Sequence, residues 1–390
     1  MKIVHLMLGC FYIDNHSYQE NMLPKYHKEL GHDVEIIAST LSFDKNGDAC
    51  NVEARRYVNE YGILVTRLPY KKLLNKQFER KIGKFFRIYD GFQRTLEKSN
   101  PDILFIHGCQ FCDINIVVNY LKKHDVKVYV DNHADFSNSA RNWFSKRILH
   151  GIMWKWCAKS IEPYTTKFYG VLPARVDFLK NVYNIPADKV ELLVMGADDE
   201  MVKKVTTIDN KKNIRKSLGI GENDFVIITG GKIDHAKRQV VTLLKILSKK
   251  VADSIHVIVF GSIVDDMKEE VMSFVDNKKI HYVGWLQNEQ TARHIAASDL
   301  AVYPGRHSVL WEETVGLGIP MIVKEWEGTR HIDVGGNVIF LSNDSEAELS
   351  SAIEKALDKN IYANMKKVSD ENGMKFFSYK EIAKKSIDII

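Results

Sequence analysis

The chain has 390 residues, 45% of them hydrophobic and 27% charged, with a formal net charge of +5. That length favours two domains, each large enough to bury its own core, and the composition is that of an ordinary globular protein. Five cysteines argue against a disulfide framework and fit a reducing cytoplasm, no stretch reaches the roughly 18 apolar residues of a membrane span, and no nucleic-acid recognition module accompanies the mild basic balance.

Taken in chain order, the apolar run 2–8 reads as a buried first strand and not a signal peptide, because His5 interrupts it and no small-residue cleavage site follows. Runs rich in Val, Ile and Leu at 33–39, 63–69, 102–106 and 127–130 are the next strands, with helical patterns between most of them. This βαβα rhythm predicts a parallel, doubly wound sheet. Cys109-Gln-Phe-Cys112 is formally C-x-x-C, but no second cysteine pair accompanies it, and a loop position is the better reading. Two segments, 71–98 and 141–159, are basic with interleaved aromatics; the second sets Arg141, Lys146, Arg147, Lys155 and Lys159 among Trp143, Phe144, Trp154 and Trp156. Such a helix suits an anionic membrane surface, and the competing reading is a core-facing helix with a charged outer face.

The polar stretch 203–212 reads as a linker, and the strand rhythm then repeats at 225–229, 255–260, 279–283, 300–303, 321–324 and 338–341. Two successive Rossmann-like halves imply a ligand cleft at the carboxyl ends of their strands. The most informative stretch is 225–238, where a run of β-formers empties into Gly230-Gly231 and the chain presents Lys232, Lys237 and Arg238 before a helix starting near Gln239. A strand, a glycine turn and a helix start hold phosphate well, because backbone N–H groups and the helix dipole favour an anion there. Three cations in one short loop fit a diphosphate better than a single charge.

Further pieces follow at set spacing: His281-Tyr-Val-Gly-Trp-Leu286, a strand ending in Pro304-Gly305, and a helix with paired carboxylates, Trp311-Glu-Glu-Thr-Val-Gly-Leu-Gly-Ile-Pro320. In this order they resemble the nucleotide-binding half of retaining GT-B glycosyltransferases of family four (glycosyl transferases group 1). The family's Glu-Ala-Met-Ala-x-Gly-x-Pro signature reads here as Glu313-Thr-Val-Gly-Leu-Gly-Ile-Pro320, and its Gly-Arg-(x)4-Lys signature as Gly231-Lys232-Ile-Asp-His-Ala-Lys237. The resemblance covers nearly the whole chain. It implies two Rossmann-like doubly wound domains facing across a cleft. An acceptor-binding domain would span 1–200 with a crossover helix at 376–390, and a nucleotide-sugar domain would span 201–375. Met195-Gly-Ala-Asp-Asp-Glu-Met201 is similar to the loop at which the family leaves its first domain.

The implied activity is retaining transfer of a sugar from a nucleoside-diphosphate donor to a glycan or lipid-linked hydroxyl acceptor, as in bacterial surface polysaccharide and capsule synthesis. The enzyme would be cytoplasmic, at the inner face of the membrane. No cofactor is implied, and without a D-x-D triplet a metal-independent mechanism is expected, with Lys232 and Lys237 on the diphosphate and Arg238 as an alternative to Lys237. Gly231, Gly284 and Trp285 fall in the donor site. Glu313 matches the ribose carboxylate, and Glu312 takes the role if the register slips by one; neighbours on a helix point about 100° apart, so one must face away. The family's first glutamate is here Gly305, and its usual loop is replaced by Gly305-Arg-His-Ser-Val-Leu310, leaving Arg306, His307 and Ser308 as substitutes for donor contact. In the first domain, Tyr129-Val-Asp-Asn-His-Ala-Asp135 resembles the loop whose histidine, here His133, faces the reacting sugar. Tyr18, Gln19 and Asn21 stand where the first βα loop approaches the diphosphate. Two rivals share the architecture: a nucleotide-sugar 2-epimerase, and a non-catalytic subunit that binds without turnover.

Overall fold

The computed structural model describes residues 1–43, 49–71, 83–136, 139, 142–250 and 254–389. The chain divides into two compact units, Met1–Val194 with Ile382–Ile390, and Met195–Glu381.

The first unit is built on an eight-stranded sheet. Its strands are β1 (Lys2–Met7), β2 (Asp33–Ser39), β5 (Arg56–Val58), β6 (Leu64–Leu68), β7 (Ile103–His107), β8 (Lys127–Asn132), β9 (Lys167–Gly170) and β10 (Val190–Leu192), and a separate hairpin is formed by β3 (Leu41–Phe43) and β4 (Ala49–Asn51). The order is β10-β9-β8-β7-β1-β2-β6-β5, and every pairing is parallel except β5 with β6. From β1 the chain moves outward through β2 on one side and resumes with β7 on the other, so the order reverses beside β1. Crevices at such switch points are where open α/β sheets bind ligands. The β7 run Ile-Leu-Phe-Ile-His is buried at all five positions, as a strand covered by helices on both faces must be. Residues from β1, β7 and β8 pack with Phe92, Leu96, Ile114, Val117, Cys157, Ile161 and Phe178 of the helices into one core.

The second unit has six parallel strands in the order β13-β12-β11-β14-β15-β16, namely β11 (Phe225–Gly230), β12 (Ile255–Phe260), β13 (Ile280–Tyr282), β14 (Leu300–Tyr303), β15 (Met321–Lys324) and β16 (Val338–Leu341). Its switch point lies at β11, between β12 and β14. Valines and isoleucines of β11 and β12 pack against Val240, Leu243, Leu244 and Leu247 of the helix Gln239–Lys250. All the strands expected from apolar runs are present. The short strands β5, β9 and β10 and the hairpin β3–β4 carry too few apolar residues in a row to announce themselves.

Among the described residues no helix is long and apolar enough to cross a membrane. Part of the segment 71–98 (72–82), and Arg141, lie outside the described residues. Of the remainder, Arg87 is turned inward, donating to the carbonyls of Gly9 and Gln110 with its guanidinium over the Trp154 ring. The 141–159 segment continues as a π-helix (Ser145–Met153) into the helix Trp154–Ile161. One face buries Ser145, His150, Trp154, Cys157 and Ile161, while Trp143 at 71%, Phe144, Ile152 and Trp156 are exposed together with Lys146, Arg147 and Lys159. The helix therefore has a core-facing side, and the outer side is aromatic as well as charged.

Candidate active site

In the second unit the loop after β11 is shaped by close backbone approach. Gly231 and Gly261 hold φ of 103° and 111°, and a Cβ on Gly261 would stand 1.8 Å from the Gly231 carbonyl oxygen, so no side chain fits there. The Gly231 N–H donates to the Phe260 carbonyl at 3.1 Å, and the Gly261 N–H donates to that of Gly284 at 2.7 Å. The loops after β11, β12 and β13 thus form one backbone-linked cradle, with Trp285 70% exposed beside it.

Of the three cations expected there, two stand at the cradle and one does not. Lys232 is exposed and makes no hydrogen bond or ion pair among the described residues. Lys237 lies half-buried, its amine 3.1 Å from where a Cβ on Gly231 would stand, and burial lowers its pKa against the opposing pull of Asp234. Arg238 points elsewhere: its guanidinium grips Glu270 at 3.0 and 3.1 Å on the exposed surface. The Lys237 side chain also accounts for Gly305. A Cβ at 305 would come within 2.9 Å of Lys237 Cγ and 3.2 Å of its Cα, so the lysine stem occupies the space of any side chain there.

The two glutamates of the helix Leu310–Gly316 differ sharply. Glu312 is fully buried, and its Oε1 accepts from His307 Nε2 at 2.9 Å and His331 Nε2 at 2.8 Å. Burial pushes the Glu312 carboxyl up, but the attraction and hydrogen bonds of His307 and His331 outweigh it and carry the group down to about 2. Glu313 is only partly buried and has no hydrogen-bond partner for its carboxyl among the described residues. Burial and then the charge of Asp198 push it up to about 7. The register therefore leaves Glu313 available and commits Glu312 to an internal clamp. His307 is half of that clamp, with its ring edge-on to Trp311, whereas Arg306 is exposed and Ser308 partly buried.

In the first unit Gly9 and Gly108 meet beyond β1 and β7, where a Cβ on Gly9 would stand 2.1 Å from the Gly108 oxygen. His133 follows β8 with a quarter of its side chain exposed, and its Nε2 lies 3.4 Å from Asp131 Oδ2 and 3.9 Å from Glu20 Oε1. Burial lowers the His133 pKa, but these two carboxylates more than offset it and leave the ring raised. Of the first-loop candidates, Gln19 is buried with its amide 3.5 Å from Asp131 Oδ2, and Asn21 donates to the Ile13 carbonyl at 2.8 Å. Tyr18 stays partly exposed beside His16 and Phe11. Cys109 is buried, Cys112 is partly buried, and both are free thiols.

Among the described residues, two sets have the spacing of cation ligands, His307/Glu312/His331 and His107/Asp131/His133, and in both the ring nitrogens concerned already face the carboxylate in hydrogen bonds or an ion pair. Sequence reasoning missed His331, Asp198, Asp131 and His107. Each is one ordinary polar residue in its own segment, and only the fold brings it to its partners.

No protein-family model matches the sequence, and no curated protein matches it. Solved structures do. A glycosyltransferase from Rickettsia africae superposes with a TM-score of 0.67 at 16% identity, over 100% of this chain and 97% of its own. An Anabaena protein, HepE, in complex with UDP and glucose gives 0.64 at 12% identity, covering 99% and 98%. A UDP-GlcNAc 2-epimerase from Neisseria meningitidis bound to UDP-GlcNAc gives 0.62 at 13%, covering 100% and 99%. The fold is GT-B. Its two Rossmann-like units are the pair of doubly wound sheets described above.

Proposed function

We propose that this chain is a retaining glycosyltransferase that moves a sugar from a nucleoside-diphosphate sugar to a hydroxyl acceptor, in the synthesis of bacterial surface polysaccharide or another glycan. The observation that carries the reading is the glycine cradle of β11 and β12, with the exposed Lys232 following it in the chain and the half-buried Lys237 amine beside it. The two ammonium groups would neutralise the diphosphate as the glycosidic bond breaks, and the packed Lys237 amine supplies the preorganised charge that lowers such a barrier. Lysine at 232 gives up bidentate geometry but keeps its charge. This role asks for no metal ion.

Glu313, the carboxylate left free by the clamp, would bridge the ribose hydroxyls, and Gly284 and Trp285 would border the nucleotide. Arg306 and Ser308 are the exposed or half-exposed groups on the loop that would meet the donor sugar. His133, its ring held against Asp131, would hydrogen-bond a sugar hydroxyl, and the departing phosphate would take the acceptor proton. The exposed aromatic and basic face of 143–159 suits an acceptor carried on an anionic membrane.

The test is incubation of the purified protein with UDP-, GDP- and ADP-sugars, with and without a bacterial lipid extract. Acceptor-dependent release of nucleoside diphosphate, with a product of retained anomeric configuration, supports the reading. Nucleotide release and donor isomerisation without any acceptor would replace it with 2-epimerisation, the activity named for the Neisseria neighbour. Donor binding without turnover would replace it with a non-catalytic subunit.

A further inference from the structure

A line of buried groups in the first unit has no place in the chemistry above. His5 on β1, His27 on the helix Gln19–Glu29 and His107 on β7 are each 0% exposed. His107 Nδ1 lies 2.8 Å from Asp131 Oδ2, His107 Nε2 lies 2.9 Å from His5 Nδ1, and His5 Nε2 lies 3.0 Å from His27 Nδ1. At the far end, His27 Nε2 lies 3.0 Å from the Ala383 carbonyl oxygen and 2.9 Å from Ser386 Oγ, both in the C-terminal segment.

Hydrogens can be counted along this line. Asp131 and the Ala383 carbonyl only accept, and a hydrogen is needed in each of the four gaps between them. Three neutral imidazoles carry one N–H each, which is one too few. The fourth hydrogen comes either from a second proton on a ring or from the Ser386 hydroxyl. Burial first, and then the neighbouring imidazoles, hold His5 well below its ordinary pKa; burial takes His27 down to about 3 despite its backbone hydrogen bond. Both rings are therefore neutral. Were His27 to point its hydrogen at Ala383 with no second proton on His107, the rings behind it would turn away from Asp131, leaving a lone pair of His107 against a buried carboxylate. An unmatched buried charge of that kind is costly. Turning the Ser386 hydroxyl from the Ala383 carbonyl, 2.8 Å away, to His27 Nε2 puts a hydrogen in every contact from Ser386 to Asp131 and leaves the uncharged Ala383 carbonyl, in place of the buried carboxylate, without a hydrogen from this line.

We propose that the Ser386 hydroxyl is the terminal donor of a directional relay, Ser386 to His27 to His5 to His107 to Asp131, which holds all three rings as Nδ1–H tautomers and through Asp131 positions His133. Asp131 Oδ2 then receives His107 from one side and faces the His133 Nε2 from the other. The other titratable and charged groups near the line are Glu20 and Cys10 beside Asp131, Arg175 beside His133, and His32 near His27. Arg175 is itself ion-paired with Asp135 at 3.1 Å. The consequence for His133 rests on the role proposed for it above; the tautomer pattern does not.

The experiment is long-range proton–nitrogen NMR on the full chain labelled with ¹⁵N-histidine, recorded from pH 6 to 8. The relay requires three rings with the Nδ1–H signature that do not titrate, assigned by Gln replacement of each in turn, and a separately titrating His133. In Ser386→Ala, His27 should switch to the Nε2–H signature and the His133 midpoint should move; Ser386→Thr should restore both. A wild-type His27 with the Nε2–H signature, or a Ser386→Ala spectrum identical to wild type, overturns the relay. An intact Nδ1–H pattern in a protein that transfers no sugar upholds the relay and removes only the catalytic role of His133.

Discussion

Gly305 is the position at which this chain departs most plainly from the family it resembles, and it offers a sharp test of how Lys237 is placed. Gly305 is not among the positive-φ glycines, so Gly305→Ala introduces no backbone strain and acts through the added methyl alone. That methyl would stand 2.9 Å from Lys237 Cγ and 3.2 Å from its Cβ, closer than carbon atoms normally approach, and the backbone of 237 leaves the lysine stem little room to yield. Overpacking of this kind costs about 1–3 kcal/mol unless the neighbour moves. The movement open to it is displacement of the Lys237 amine from above Gly231. Loss of one hydrogen bond to a charged partner is worth about 1.5–3 kcal/mol. Gly305→Ala should therefore weaken binding of inorganic pyrophosphate and of the donor by about 10- to 100-fold, at 1.4 kcal/mol per decade. The assay is calorimetric titration of wild type, Gly305→Ala, Lys237→Ala and the double variant. The two single losses should not add, because both remove the same contact. Wild-type affinity in Gly305→Ala, or fully additive losses, would refute the placement of Lys237 on the diphosphate.

Glu313, pushed up to about 7 by burial and by Asp198, would have to ionise to bridge a ribose, so donor affinity should rise as the pH passes upward through that value and level off about one pH unit above it; titration of Glu313→Gln over the same range should be flat. His27 takes up its proton near 6.5 when unfolded and only near 3 when folded, so the unfolded state binds more protons between those values and stability falls as the pH drops through them. Its own share over that whole span is about 5 kcal/mol, and urea melts of wild type and His27→Gln should converge as the pH falls from 7 to 4. The exposed Trp143, Phe144, Ile152 and Trp156 with Lys146 and Arg147 should bind vesicles containing anionic lipid, each cation near the surface contributing about 1 kcal/mol. Reversing Lys146, Arg147 and Lys155 to Glu should abolish sedimentation with vesicles and leave nucleotide binding unchanged; wild-type protein that ignores such vesicles at low salt would sink the idea.

The two sheets were legible because most of their strands are continuous apolar runs, such as Phe225–Gly230 and Ile103–His107. Short strands such as β9 and β10 were not, since Lys-Phe-Tyr-Gly and Val-Glu-Leu carry too few apolar residues in a row to stand out. The glycine cradle after β11 was visible as adjacent glycines, with lysines following in the same loop. The sequence could not separate Glu312 from Glu313, because the decision comes from His331, which only the fold brings to Glu312. Nor could it separate Lys237 from Arg238, because Glu270 draws the arginine away from a different helix. The histidine line is illegible for the same reason: His5, His27 and His107 sit in three segments whose neighbours are ordinary core residues.

The most direct measurement is titration of the intact protein with nucleotide sugars, beginning with the UDP-linked ones, against Lys232→Ala, Lys237→Ala and Arg238→Ala. A donor present at a hundred times its dissociation constant stabilises the fold by about 2.7 kcal/mol, which a thermal melt detects. The account predicts stabilisation by at least one nucleotide sugar, lost or strongly reduced in both lysine variants and retained in Arg238→Ala. Stabilisation by no nucleotide sugar, or stabilisation untouched by removing both lysines, would contradict it.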